Sequence, residues 1–271
     1  MLDRVVDGAA EFLRHTIRRD SGTWRVLARA FWSWRAWLAR CRRHPWAVRR
    51  WARHESEFNR LLAHRSTAIR DFFVIQVGAC DGVMADPLHD WIKRANWRGI
   101  LVEPQALEFE RLKATYAQER HRLVFENVAI ADMDGTCTLY RLDDAARTDD
   151  WERGRASLLP PYDAHRFIAE TVPCITFDSL LRRHDVTRVD LLQIDAEGYD
   201  FEILKRVDFA TLRPALIRYE HRHLRPKDKH ACRKFLKRAG YRVLEMEFDT
   251  GAVLSSSETV GIASRAASGE R

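Results

Sequence analysis

Four short runs in this 271-residue chain carry side chains able to do chemistry: Gly78-Ala79-Cys80-Asp81-Gly82, Glu103-Pro104, Asp195-Ala196-Glu197-Gly198 and Glu220-His221-Arg222-His223. A glycine-bearing turn lets the backbone approach a ligand closely, and an acid such as Glu103 can accept both hydroxyl protons of a ribose. That combination fits an adenosine-containing ligand. Asp81 selects among such ligands by charge. A carboxylate on the turn repels a pyrophosphate, the G-x-G-x-x-G spacing is absent, and no G-K-[ST] follows for a nucleoside triphosphate. S-adenosylmethionine has no phosphate and carries a sulfonium and an ammonium, which an acidic crevice attracts.

The acids after the later strands suit proton transfer. An alcohol must lose its proton as a new carbon–oxygen bond forms, so a base within hydrogen-bond reach is required. Asp195 and Glu197 both face the crevice if the chain stays extended to Gly198, and Glu220-His221 ends the neighbouring strand. Three carboxylates and an imidazole converging there repel one another, which raises at least one carboxyl pKa toward a useful base or else holds a divalent cation. The metal-free alternative is adopted here: Asp195 at the donor methyl and acceptor, with Glu197, Glu220 or His221 as base, and no metal ligands assigned. Asp195 and Asp200 read otherwise as helix caps. His223, in the basic run 222–229, reads as a solvated surface residue.

These runs need a sheet to bring them together. Strands are expected at 71–77, 99–103, 121–130, 135–142, 172–175, 189–195, 215–220, 241–248 and 259–263, several of them continuous apolar runs. Helices are expected at 84–95, 105–118, 176–184, 199–206 and 227–239. The 121–130 and 135–142 strands should pair as a hairpin. Strand–helix alternation with right-handed crossovers defines a doubly wound α/β fold, in which ligands sit outside the carboxyl ends of the strands. Each reactive run falls at such an end. Residues 143–170 break the rhythm with a polar excursion containing Pro160-Pro161, Arg147, Trp151, Arg153, Arg155, His165 and Arg166. It reads either as a lid over a sugar or anionic acceptor, or as a mobile solvated loop.

Several runs together resemble FkbM-type methyltransferases: Val-Ile-Gln-Val-Gly-Ala-Cys-Asp-Gly (74–82), Gly-Ile-Leu-Val-Glu-Pro (99–104), Asn-Val-Ala-Ile (127–130), Thr-Phe-Asp-Ser-Leu-Leu (176–181), Asp-Leu-Leu-Gln-Ile-Asp-Ala-Glu-Gly-Tyr-Asp (190–200) and Tyr-Glu-His (219–221). The resemblance covers about residues 70–264. It implies a class I, Rossmann-like fold with a seven-stranded, mostly parallel sheet whose last strand is antiparallel. It also implies O-methylation of hydroxyls on sugars, glycans, glycolipids or related natural products. Gln76 departs from the acid that many members carry in the first strand, and the Gln-Val-Gly-Ala-x-Asp-Gly form resembles a subgroup. By position and chemistry, Gly78, Ala79 and Gly82 border the methionine portion of S-adenosylmethionine, with Asp81 near its cationic groups. Glu103, with Pro104, serves the ribose, and Asn127 to Ala129 border the adenine. Gln76 reads either as a cofactor contact or as a hydrogen-bonded strand residue.

Charge divides the chain. Residues 1–66 hold fifteen arginines and no lysine against six acids, a net of +9, and six of the nine tryptophans; the remainder carries a net of −2. The expected organisation is a basic helical extension over 1–66, a methyltransferase domain over 67–264 and a disordered tail over 265–271. A helix at 23–43 in the extension reads either as a cap on the body or as an interfacial helix, with tryptophans at headgroup depth and arginines on anionic lipid. Nucleic acid is the weaker partner, because no reading motif accompanies the arginines and the body is acidic.

No stretch of about 18 uncharged apolar residues is present for a transmembrane helix, and the acidic start is unlike a signal peptide. Five scattered cysteines, Cys41, Cys80, Cys137, Cys174 and Cys232, suggest reduced thiols with no zinc site or disulfide frame. A cytoplasmic protein is expected, in contact with the membrane face under the interfacial reading. Its competing class is a non-catalytic binding protein that keeps the fold and engages a membrane or partner through residues 1–66.

Overall fold

The computed structural model describes residues 45–255; the helix expected at 23–43, the strand at 259–263 and the tail from 265 lie outside the described residues. The chain divides into two compact units, Met1–Arg53 and His54–Arg271. The first is described only from Pro45, in the opening turns of helix α1 (Pro45–Ala68). This division precedes the composition break at residue 66. No helix among the described residues is long and apolar enough to cross a membrane.

In the second unit the elements run β1 (Phe73–Val77), α2 (His89–Arg94), β2 (Arg98–Val102), α3 (Ala106–Thr115), β3 (Leu123–Glu126), β4 (Ala129–Ala131) and β5 (Gly135–Leu142). They continue with β6 (Ala156–Ser157), β7 (Phe167–Thr176), α4 (Phe177–Arg183), β8 (Leu191–Ile194), α5 (Asp200–Leu204), β9 (Leu216–Glu220), α6 (Pro226–Arg238), β10 (Tyr241–Glu245) and β11 (Asp249–Leu254). The main sheet has seven strands in the order β10-β11-β9-β8-β1-β2-β3. β11 alone runs antiparallel, against both β10 and β9.

The central strands are covered on both faces and mostly apolar, apart from one row of Gln76, Gln193 and Arg218 in register, and alternation sends successive side chains to opposite sides. Ile75, Val77, Leu192 and Ile217 pack with Phe177, Ile203 and Leu236 of α4, α5 and α6. Val74, Leu101, Leu191 and Leu216 pack with Phe58, Ile92 and Leu112 of α1, α2 and α3. A three-layer sandwich results, with the carboxyl ends of β1, β2, β8 and β9 along one edge.

The second face depends on a close approach. A Cβ added at Gly251 would lie 2.5 Å from the Phe58 ring, so only glycine lets α1 seat there. Around it His54 Nδ1 lies 2.8 Å from the Glu245 carbonyl, and Arg242 pairs with Glu57 at 2.9 Å. Gly251→Ala is expected to overpack this seam and cost about 1–3 kcal/mol. The measurement is a lower urea midpoint at unchanged slope; an unmoved midpoint would mean that Phe58 does not seat on β11.

Three expectations need correction. The strand expected at 121–130 breaks at Asn127-Val128, where the Asn127 amide donates to the Glu103 and Pro104 carbonyls at 2.8 and 3.2 Å. Its first part, β3, stays in the main sheet, and its second, β4, joins a separate four-stranded sheet of order β4-β7-β5-β6. The expected hairpin between 121–130 and 135–142 therefore does not form, and β5 pairs instead with β7 along its whole length. The excursion 143–170 is folded rather than a plain loop: it holds three short 3₁₀ turns, β6 and the start of β7. Finally, the strand expected at 241–248 ends at Glu245 and turns back into β11.

Candidate active site

The first strand end is closed by backbone. Val77 gives way to Gly78 at φ +79°, and the Gly78 and Ala79 N–H groups both donate to the Val102 carbonyl at the end of β2, at 2.9 and 3.0 Å. Glu103 staples the same junction. Its carboxylate accepts from the Cys80 N–H at 2.8 Å and the Gln105 N–H at 2.9 Å. It is buried, and burial is the main cause of a pKa raised to about 7. The Gln105 side chain also bonds this carboxylate, and since a carboxylate has about four acceptor positions, it is not saturated.

Asp81 differs from its expected role as a free acid. Its Oδ1 accepts from the Val83 and Met84 N–H groups at 3.0 and 2.8 Å, and its Oδ2 pairs with Arg153 at 2.8 Å. Burial alone would raise its pKa, but the Met84 and Val83 N–H groups and the Arg153 guanidinium outweigh it and hold the carboxyl below its usual range. Arg153 also pairs with Glu108 of α3 at 3.0 Å. The excursion thus lays a cation across the glycine turn. Beside it a cavity of about 190 Å³ is lined in part by Gln105, Glu108, Arg141, Arg147, Arg153 and Glu170. Gly82 completes the turn, its carbonyl accepting from the Tyr116 hydroxyl at 3.1 Å. Pro104 and Asn127 to Ala129 lie at the β2 and β3 ends, where the Asn127 amide joins them.

Gln76 sits inside the sheet rather than at its mouth. Its Nε2 donates to Asp86 at 3.0 Å, while its Oε1 and that of Gln193, the neighbour in register on β8, are buried with no hydrogen-bond partner among the described residues. Arg218, next in register on β9, pairs with Asp249 at 2.5 Å. Asp195 caps this polar row. Burial, then the charges of Asp249 and Asp86, push its carboxyl upward.

Beyond Asp195 the chain takes a left-handed step at Glu197, φ +49°. Asp200, completely buried, accepts from the Gly198 N–H at 3.1 Å and the Glu220 N–H at 3.2 Å, and so ties the two strand-end loops together. Across this tie His223 Nε2 lies 3.2 Å from Glu197 Oε2 and 3.8 Å from Glu220 Oε1. Burial, followed by the Asp195 charge, raises Glu197 to about 8, and burial and the same charge push Glu220 upward.

His221 does not join them. Its Nδ1 lies 2.9 Å from Thr250 Oγ1 in a buried position between β9 and β11. Consecutive residues of extended chain point to opposite sides, so Glu220 and His221 diverge and His223, three residues after the acid, takes the expected place. The Glu220–His223 spacing was the available signal, masked by the basic run around it. His165, in the excursion, is exposed. The four cysteines among the described residues are free thiols.

The sheet order, with one antiparallel strand inserted beside the last parallel one, is that of the class I methyltransferase fold. The chain belongs to the FkbM methyltransferase family: the methyltransferase FkbM domain matches residues 76–243. Among solved structures it is similar to the FkbM methyltransferase from Methylobacillus flagellatus KT, at 14% identity and TM-score 0.45, over 70% of this chain and 46% of that one. It is also similar to the N-terminal domain of human METTL16 in complex with SAH, at 10% identity and TM-score 0.42, over 76% and 71% of the two chains. A fibrillarin pre-rRNA processing protein of Methanococcus jannaschii shares 13% identity at TM-score 0.39, over 68% and 67%. No curated protein matches.

Proposed function

We propose that this chain is an S-adenosylmethionine-dependent O-methyltransferase acting on a hydroxyl of a sugar, glycan, glycolipid or related natural product. The observation that carries the reading is the row of acids at four strand ends, Asp81, Glu103, Asp195 with Glu197, and Glu220, along one edge of a methyltransferase sheet. Asp81 stays ionised beside Arg153, and the approach of a sulfonium and an ammonium would draw the raised carboxyls of this row toward their ionised form, a gain that a phosphate-bearing ligand would not provide.

Glu103 would hold the ribose with its remaining acceptor capacity. Asp81 and Arg153, already paired, present one charge of each sign, the complement of the zwitterionic end of a methionine. When bound, S-adenosylmethionine supplies a methyl group on a sulfonium that leaves readily. The chain's own work is to orient the acceptor oxygen in line and take up its proton. Asp195, Glu197, Glu220 and His223 stand where the proton would be received. The excursion bends over this edge, its Ser157 hydroxyl 3.4 Å from the Ala196 carbonyl. Contact of residues 1–66 with a membrane face remains part of the proposal, and nucleic acid is the disfavoured partner.

Calorimetry with S-adenosylmethionine, its demethylated product, NADH and ATP tests this. Binding of the first two alone is expected; binding of NADH or ATP instead would overturn the reading. The affinity for the demethylated product is expected to depend on pH through Glu103. Ribose hydroxyls donate to the ionised carboxylate, so binding is tight above pH 7 and weakens below it, by about tenfold one unit lower. A pH-independent affinity between 6 and 8 would remove Glu103 from the ribose.

A further inference from the structure

We infer that Glu197, Glu220 and His223 form a binding site for one divalent metal cation at the acceptor end of this edge. The inference rests on the methyltransferase reading only for what the cation would touch, not for its existence.

The donor set is chemically apt. One imidazole nitrogen and two carboxylate oxygens, drawn from the loop after β8, the last residue of β9 and the loop that follows it, all lie within 4.8 Å of one another. Ligands on a small divalent ion bound at about 2.1 Å stand roughly 3 to 4 Å apart, so side-chain adjustment of less than an ångström closes the site. Carboxylates with an imidazole favour Mn²⁺ or Zn²⁺ over the softer metals that thiolates select.

Two further observations point the same way. Glu220 Oε2 is buried and has no hydrogen-bond partner among the described residues. A buried carboxylate oxygen left without a donor is costly, and among the described residues His223 is the basic side chain within 4.0 Å of Glu220 and Glu197, the charges of Arg155 and Arg222 reaching Glu197 from farther off. A cation would satisfy that oxygen. The second is the support behind the ligands. Asp200, with no exposure, grips the Gly198 and Glu220 N–H groups and so fixes the separation of both loops, as outer residues do around metal ligands.

Three protein donors leave coordination positions open. In this site the acceptor hydroxyl would take one of them, which would orient it beside Asp195 and lower the pKa of its proton; with Glu197, Glu220 and His223 held as ligands, Asp195 would be the group left to receive that proton.

The test uses the full chain stripped with EDTA, with MnCl₂ and, separately, ZnCl₂ as probes. Free Mn²⁺ is followed by electron paramagnetic resonance and Zn²⁺ by calorimetry. One ion per chain is expected, with Glu220→Gln and His223→Gln each weakening binding at least tenfold at an unchanged thermal midpoint. His223 lies partly in solvent, so its variant is expected to fold even if the Glu220 one does not. Binding of neither ion by the wild type, or equal binding by wild type and the folded His223→Gln, would overturn the inference. Cofactor calorimetry in metal-free buffer reports separately on the methyltransferase reading.

Discussion

Gly78→Ala is expected to be the most damaging single substitution at the strand edge. The added Cβ would sit 1.8 Å from the Asp195 carbonyl oxygen and 2.8 Å from its carbon, on a residue already held at φ +79°. Both atoms are backbone, so no side chain can rotate aside. Relief requires the end of β1 to move from the end of β8, and these ends carry Asp81 and Asp195. A strained left-handed residue with such a contact costs about 3 kcal/mol or more. In a domain of this size that lowers the melting temperature by roughly 6–12 °C. Binding of demethylated S-adenosylmethionine should fall with it. Circular dichroism melts and calorimetry on the same preparation check both. A melting point within about 2 °C of wild type would mean that the two strand ends are not in contact as described.

Asp195→Asn separates folding from chemistry. The change keeps the shape and removes a charge that burial, Asp249 and Asp86 oppose. The fold should therefore tolerate it, with a melting temperature equal to or above wild type, as often follows when a strained functional group is neutralised. Transfer of label from tritiated S-adenosylmethionine into a glycolipid extract should fall by about 10²–10⁴-fold, while the demethylated product still binds. Undiminished transfer would remove Asp195 from the reaction. Loss of both transfer and binding would make it a cofactor residue alone.

How much of this was legible in the sequence follows from the range of the forces involved. The buried strands were, because parallel strands covered on both faces are mostly apolar, as Gly-Ile-Leu-Val is and as Val-Ile-Gln-Val is apart from Gln76. The junction of Gly78 with Glu103 was also legible, because turn and acid follow successive strands. What escaped depends on longer reach or on parity. Nothing near Arg153 marks it as the partner of Asp81, which lies 72 residues away. The second sheet joins β4 to β7 across the excursion, a pairing without a local signature. The sequence points to His221 ahead of His223, although strand alternation sets His221 opposite Glu220. β11 escapes a sequence reading because Asp-Thr-Gly at its start resembles a turn, while Gly251 is present to admit Phe58.

The insertion of β11 between β9 and β10 also bears on how the chain is made. Phe58 belongs to the first helix of the unit and Gly251 to the last described strand, so a ribosome must deliver nearly the whole domain before the two can meet. Until then β9 and β10 expose unpaired edges, open to association with neighbouring nascent chains. Slow or interrupted translation near codon 250 should therefore yield insoluble product rather than a shorter, working enzyme.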